Sequence, residues 1–192
     1  MVAKSRGRKL RIELLERRTL LSVTVSVVSG TLIVTGDSNA NVVAIDQVDT
    51  SGGTGVQPGT FLITPGAKTS LNGGTPGAAV TLSGATAGIR VSLGAGTDSL
   101  DMQGVAGQPL SPFAISITPG TGHNTIRIAD FSVSTVSITC KGFIPNETVD
   151  SVEIDDTTID GGGGTGPALV LQAQQGYASA VLAGATRRST VT

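Results

Sequence analysis

The sequence predicts an all-β protein: a right-handed parallel β-helix-like solenoid carried behind a short N-terminal helix. Three observations carry this. Pentapeptides of one pattern, Asp/Asn–polar–apolar–variable–apolar, begin at Asp98 (D-S-L-D-M), Asn124 (N-T-I-R-I) and Asp150 (D-S-V-E-I), twice 26 residues apart. The 27 glycines, with many Ser, Thr, Asn and Asp, punctuate short β-branched runs, the mix that suits strands joined by tight turns. Aromatics make up only 3% and Trp is absent, so the core is expected to consist of Val, Ile, Leu and Ala.

A repeat of this length, with two or three strands in it, fits one coil of a parallel β-helix, equivalent residues stacking about 4.8 Å apart. Asp98, Asn124 and Asp150 then form a turn ladder. Leu100, Ile126 and Val152 form one inward apolar ladder, and Met102, Ile128 and Ile154 another. Arg127 falls between Asp101 and Glu153 on the outer face, where opposite charges on neighbouring strands give modest support. The preceding strand partly keeps this phase, I-R-V at Ile89 being followed 26 residues later by I-S-I at Ile115. The alternative is an antiparallel β-sandwich. Ser29-Gly30, between the runs Val23–Val28 and Thr31–Val34, is a hairpin-type two-residue turn.

Further along, N-V-V-A-I from Asn41 reads as a related but out-of-phase copy of the pentapeptide. Residues 50–79 are rich in Gly, Pro and Thr and predict loops with one short strand at Phe61–Thr64. Strands are also expected at Phe131–Ile138 and Ala168–Ala173, with a flexible turn or insertion at Gly161–Gly164.

Two segments follow from charge and pattern: residues 1–22, a basic sorting or capping segment, and residues 23–192, the β-repeat domain. Residues 1–22 hold seven basic and two acidic residues, and the remainder six basic and twelve acidic. A basic leader on an acidic body does not read as a nucleic-acid binder, which needs a basic face on the folded part. From Leu10 to Leu21 the leucines at spacings of four and seven, mixed with Glu and Arg, favour helix. No run of 18 apolar residues exists, so no spanning helix is expected. A conventional secretory signal fits poorly, because Thr19–Val28 is only weakly apolar and broken by Ser and Thr. The other reading of the segment is an amphipathic cap on the end of a β stack.

The run Leu14–Ser22, L-L-E-R-R-T-L-L-S, resembles the LEPR-XLL-type N-terminal motif of large planctomycete surface and extracellular proteins. Leu15, Glu16, Arg18, Leu20 and Leu21 match, and Arg17 stands where that family has proline. The resemblance implies export or surface sorting and an extracellular or cell-surface location; it implies no activity. Partners expected from it are cell-surface or matrix glycans or other surface proteins. The C-terminal R-R-S-T-V-T shows no anchor, as expected of a short relative or a piece of a larger surface protein.

The turns raise calcium. Leu93–Asp101, L-G-A-G-T-D-S-L-D, resembles the glycine-rich nonapeptide of repeats-in-toxin calcium-binding proteins, with Leu93 in place of its first Gly. A second version, Pro119–Arg127, has Pro119 at that place and Asn124 for the Asp. In that family the nonapeptides are tandem; here they lie 26 residues apart, so turn chemistry, with Asp and Asn bonding their own backbone, is the favoured reading. The cation candidates are Asp98 and Asp101, with Asp155, Asp156 and Asp160 as a second acidic cluster. No other cofactor is expected.

Catalysis is not expected. The row Asp101, Arg127, Glu153, with Asp130 nearby, could serve a polysaccharide-active β-helix enzyme, but alternating signs read better as surface pairing. Cys140 ends an alternating run and reads as a small buried residue; His123, the single histidine, has no evident relation to it. The four glycines at 161–164 lack the Lys and Ser/Thr of a phosphate loop, and Asn146-Glu147-Thr148 is taken as a chance glycosylation match. The function expected is therefore that of an exported structural or adhesive β-repeat protein, the alternatives being a calcium-stabilised binding module and the polysaccharide-active enzyme.

Overall fold

The computed structural model describes residues 21–49, 59–110, 113–141, 149–161, 168–174, 177–182 and 189–191. The helix expected at 10–21 lies outside them apart from Leu21, as do Asn146-Glu147-Thr148 and Gly162–Gly164. Among the described residues the protein is essentially all-β, and no helix is long and apolar enough to cross a membrane.

The first strands are β1 (Leu21–Val28), β2 (Thr31–Thr35) and β3 (Val42–Gln47). After them come β4 (Phe61–Pro65), β5 (Thr69–Leu71) and β6 (Val80–Leu82). Strands β7 (Gly88–Ser92), β8 (Ser99–Gln103), β9 (Ala114–Thr118), β10 (Thr125–Ala129) and β11 (Ser132–Val133) follow. The chain continues through β12 (Thr135–Lys141), β13 (Val149–Asp155), β14 (Thr158–Ile159), β15 (Leu169–Gln174), β16 (Tyr177–Leu182) and β17 (Ser189–Val191).

Two large mixed sheets result. One has the order β17-β15-β12-β9-β7-β2-β1-β5, the other β16-β13-β10-β8-β3-β4-β6, and β11 pairs β14 in a third, two-stranded sheet. From β2 and β3 onward every pair toward β17 and β16 is parallel, whereas β1–β2, β3–β4 and β4–β6 are antiparallel. Ser29 (φ 48°) and Gly30 (φ 75°) both take positive φ, the geometry of a type I′ hairpin, as the sequence predicts. The sandwich alternative thus fits only the first strands.

Register follows the apolar alternation. Leu100↔Ile126↔Val152 and Met102↔Ile128↔Ile154 pair as expected, and all six side chains are buried. Ile89 pairs Ile115 and continues to Val136 and Leu169. Their side chains join those of the second sheet in one core, where each fully buried aliphatic contributes roughly 1.5–3 kcal/mol. The core is more aromatic than composition suggests. Phe61, Phe113 and Phe131 are its largest fully buried side chains, and the rings of Phe61 and Phe113 lie 6.0 Å apart at 33°.

Three expectations need correction. The copy at Asn41 is in phase in space: Val43 pairs Leu100 and Ile45 pairs Met102, 57 residues later. The extra length holds β4, β5 and β6, so 59–79 contains β5 besides the expected strand. The run Phe131–Ile138 is broken at Ser134, whose N–H donates to Phe113 O. At the start of the described chain, Leu21 and Ser22 pair Thr69 and Ser70 in a parallel ladder.

Candidate functional site

The expected turn ladder exists and is longer than three residues. It is built at the turns that lead into β3, β8 and β10 and at the start of β13, where Asn41, Asp98, Asn124 and Asp150 stand one above another and are all buried. Each backbone N–H donates to the side chain on the next level: Asn41 N–H to Asp98 Oδ1 (2.7 Å), Asp98 N–H to Asn124 Oδ1 (3.0 Å) and Asn124 N–H to Asp150 Oδ1 (3.0 Å). The Asn124 amide also donates to Asp150 Oδ1 at 2.9 Å, and the Asn41 amide to Asn39 O at 2.7 Å. Side chains thereby supply acceptors where the strand ladder has not yet begun, so buried donors stay satisfied.

Glycines make the close stacking possible. Gly120 lies over Gly94, and Gly122 over Gly96, so that an added Cβ would stand 1.4 Å and 1.7 Å from the carbonyl oxygen beneath. Both have positive φ, 96° and 127°. The G-x-G of these turns is thus required by backbone approach as well as by φ.

Electrostatically the ladder is uneven. Asp98 is only 2% exposed, and its Oδ2, like Asn41 Oδ1, has no hydrogen-bond partner among the described residues. Burial pushes the Asp98 carboxyl up to about 6, aided by the nearby charges of Asp37 and Asp150 and opposed by the Asn41 hydrogen bonds. At Asp150 a partner is present, because Cys140 hydrogen-bonds to it; burial and that carboxylate push the thiol up to about 12. Asp37 differs again. Burial raises its carboxyl, but the N–H groups of Asn39 and Ser22, with the Asn39 and Asn41 side chains, outweigh that and hold it below its usual value.

The calcium candidates do not converge. Asp98 points into the turn ladder, while Asp101, three residues on, is exposed on the outer face. Asp155 lies at the opposite end of the strands from Asp98, in register with Ala129 and, beyond it, Gln103. Its carbonyl accepts from the N–H of Asp130 and the hydroxyl of Thr157. Asp156 takes φ 43° in that turn, and the Asp160 N–H donates to Val133 O. Among the described residues no group of three or more His, Cys, Asp or Glu is placed to hold a metal ion.

The outer charged row is in register, Asp101↔Arg127↔Glu153. Arg127 bonds Asp101 at 3.3 Å and Gln103 at 3.4 Å, with side-chain exposures of 39% for Arg127 and 57% for Asp101. Asp46 lies on the same face, pushed up by partial burial and by the charge of Asp101. Of the sorting-motif residues only Leu21 is described, in β1; Leu15, Glu16, Arg18 and Leu20 lie outside the described residues.

Sequence reasoning missed Asn41 as the ladder's first member and Cys140 as the partner of Asp150. The signal for the first is N-V-V-A-I itself, once an insertion is allowed between it and S-L-D-M. No family model, curated protein or solved structure matches this chain.

Proposed function

We propose that the chain is an exported, surface-associated β-repeat protein with a structural or adhesive role and no catalytic activity, its body a parallel β-helix-like solenoid begun by antiparallel strands. The observation that carries this reading is the stacking register. Units 26 residues apart align turn on turn and strand on strand, giving many-stranded faces beside a ladder of buried Asx side chains. Repeat stacks of this kind offer extended binding surfaces. The LEPR-XLL-like run supplies the surface location. Fractionation of native cells tests it: recovery in the envelope or medium is expected, and recovery only in the cytoplasm would sink the reading. Turnover of an acidic polysaccharide by the purified chain would overturn the non-catalytic part.

A calcium-stabilised binding module is the second reading, favoured by the two buried, unpartnered oxygens, Asp98 Oδ2 and Asn41 Oδ1. Thermal unfolding with millimolar calcium and with chelator decides it, an unchanged midpoint rejecting it.

A further inference from the structure

The two large sheets differ in charge. No strand of the eight-stranded sheet contains an acidic residue, whereas the strands of the seven-stranded sheet contain Asp46, Asp101, Asp150, Glu153 and Asp155, in β3, β8 and β13. On the acid-free sheet Arg90 is exposed at the centre of β7 and, among the described residues, has no ion-pair partner. Its row runs through Ile33 on one side and Ser116 on the other.

Beside Arg90 the face is indented. A groove of about 340 Å³ is lined by Val28, Thr31, Gly88, Arg90, Ala114 and Ser116, and at Gly88 the backbone lies so close to β9 that an added Cβ would stand 2.3 Å from the Ala114 carbonyl oxygen. Its volume falls within the range of small-ligand sites. Val28, 53% exposed, presents an apolar surface there. Beyond the groove the outward rows are hydroxyls: Thr35 pairs Ser92, which pairs Thr118, and Ser116 pairs Ser137.

We propose that this groove binds an acidic glycan, a uronic-acid-bearing segment whose carboxylate is taken by Arg90. The guanidinium fork matches a carboxylate in two parallel bonds. The C–H faces of a sugar ring fit the apolar wall at Val28, and its hydroxyls fit the Ser/Thr rows. An unopposed positive site on this sheet attracts a polyanion that the acidic sheet repels. The strands of the eight-stranded sheet contain no Phe, Tyr or Trp on which nucleic-acid bases could stack. The inference rests on the surface-adhesion reading and gives it a ligand class.

The test is calorimetric titration of the purified full chain with trigalacturonate and with its methyl ester. Trigalacturonate should bind, the ester should bind about tenfold or more weakly, and Arg90→Gln should lose affinity to the same degree. Arg127→Gln, on the other sheet, should bind as the parent chain does. Circular dichroism spectra of both variants exclude misfolding as the cause. Equal affinity of Arg90→Gln and the parent chain, equal affinity for acid and ester, no binding, or preference for a single-stranded oligonucleotide would each overturn the proposal. The fractionation result is independent: a cytoplasmic chain that still binds trigalacturonate through Arg90 defeats the surface reading and leaves this site standing.

Discussion

The backbone N–H of Asn41 donates to the side chain of Asp98 at 2.7 Å, although 57 residues separate them. That bond starts a ladder in which each Asx side chain closes the turn on the neighbouring level, so the carboxyl of Asp98 is held inside. Its Oδ1 is well used and its Oδ2 is not. An ionised carboxylate in that position is destabilising, and the first prediction follows from it.

The Asp98 carboxyl is raised from its ordinary value of 3.8 to about 6, burial being the main cause. A raised folded-state value means that the folded chain holds the proton more tightly than the unfolded one. The stabilisation is fully present below about pH 4 and is lost as pH rises through 6, roughly 3 kcal/mol in all. Asp98→Asn keeps the Oδ1 acceptor and places an amide where Asn41 and Asn124 already have one. It should raise the melting midpoint at pH 7 by roughly 6–12 °C and remove this group's share of the slope between pH 4 and 7. Thermal melts of both chains across that range are the check. A lower midpoint at pH 7 with the parent slope retained would defeat the reading.

What the sequence shows and what it hides follow from how stacking works. Leu100, Ile126 and Val152 are legible because equal spacing in the chain becomes equal height in the sheet. Asn41 is obscured because an inserted stretch holding β4, β5 and β6 changes its spacing without changing its height. The break at Ser134 is likewise hidden. Ser134 separates β11, which pairs β14, from β12, which pairs β9 and β15, while the residues on both sides keep β-type chemistry. The site is less legible than the fold. Asp98 and Asp155 read alike as turn acids, but strand direction puts them at opposite ends.

Gly120 carries the second prediction. A Cβ there would collide with the Gly94 carbonyl, and φ of 96° disfavours any L side chain. Gly107 also has positive φ, 77°, but an added Cβ meets nothing within 4 Å. Gly107→Ala should therefore cost about 1 kcal/mol, the penalty of conformation alone, and Gly120→Ala at least about 3 kcal/mol, strain and collision together. Urea unfolding of the two variants separates them; equal losses would mean that the turns do not stack this closely.

Asn72 closes an edge. Its side chain accepts from the Val25 N–H at 2.8 Å and donates to the Val25 carbonyl at 3.0 Å, just where β5 ceases to pair β1. The amide thus stands in for a strand residue on the outer strand of the sheet. Asn72→Gly retains the backbone conformation (φ 52°) and removes both bonds. It should cost about 1–3 kcal/mol and promote edge-to-edge association. Urea unfolding and light scattering measure the two effects. A loss within 0.5 kcal/mol, with scattering unchanged, would show the cap to be dispensable.

Cys140 gives a kinetic prediction. The thiol is 5% exposed and is pushed up to about 12 by burial and by its hydrogen bond to Asp150. The reactive species is the thiolate, so at pH 8 the folded chain offers almost none of it and little access besides. Labelling by an aromatic disulfide reagent should require opening of the β12 end of the sheet, proceeding slowly in buffer and fast in 6 M guanidinium chloride. Asp150→Asn, which removes the carboxylate beside the thiol but keeps a hydrogen-bonding group, should accelerate labelling of the folded chain without exposing the core to a hydrophobic dye. Rapid labelling of the parent chain under native conditions would place Cys140 at the surface and contradict the packing of β12 against the ladder.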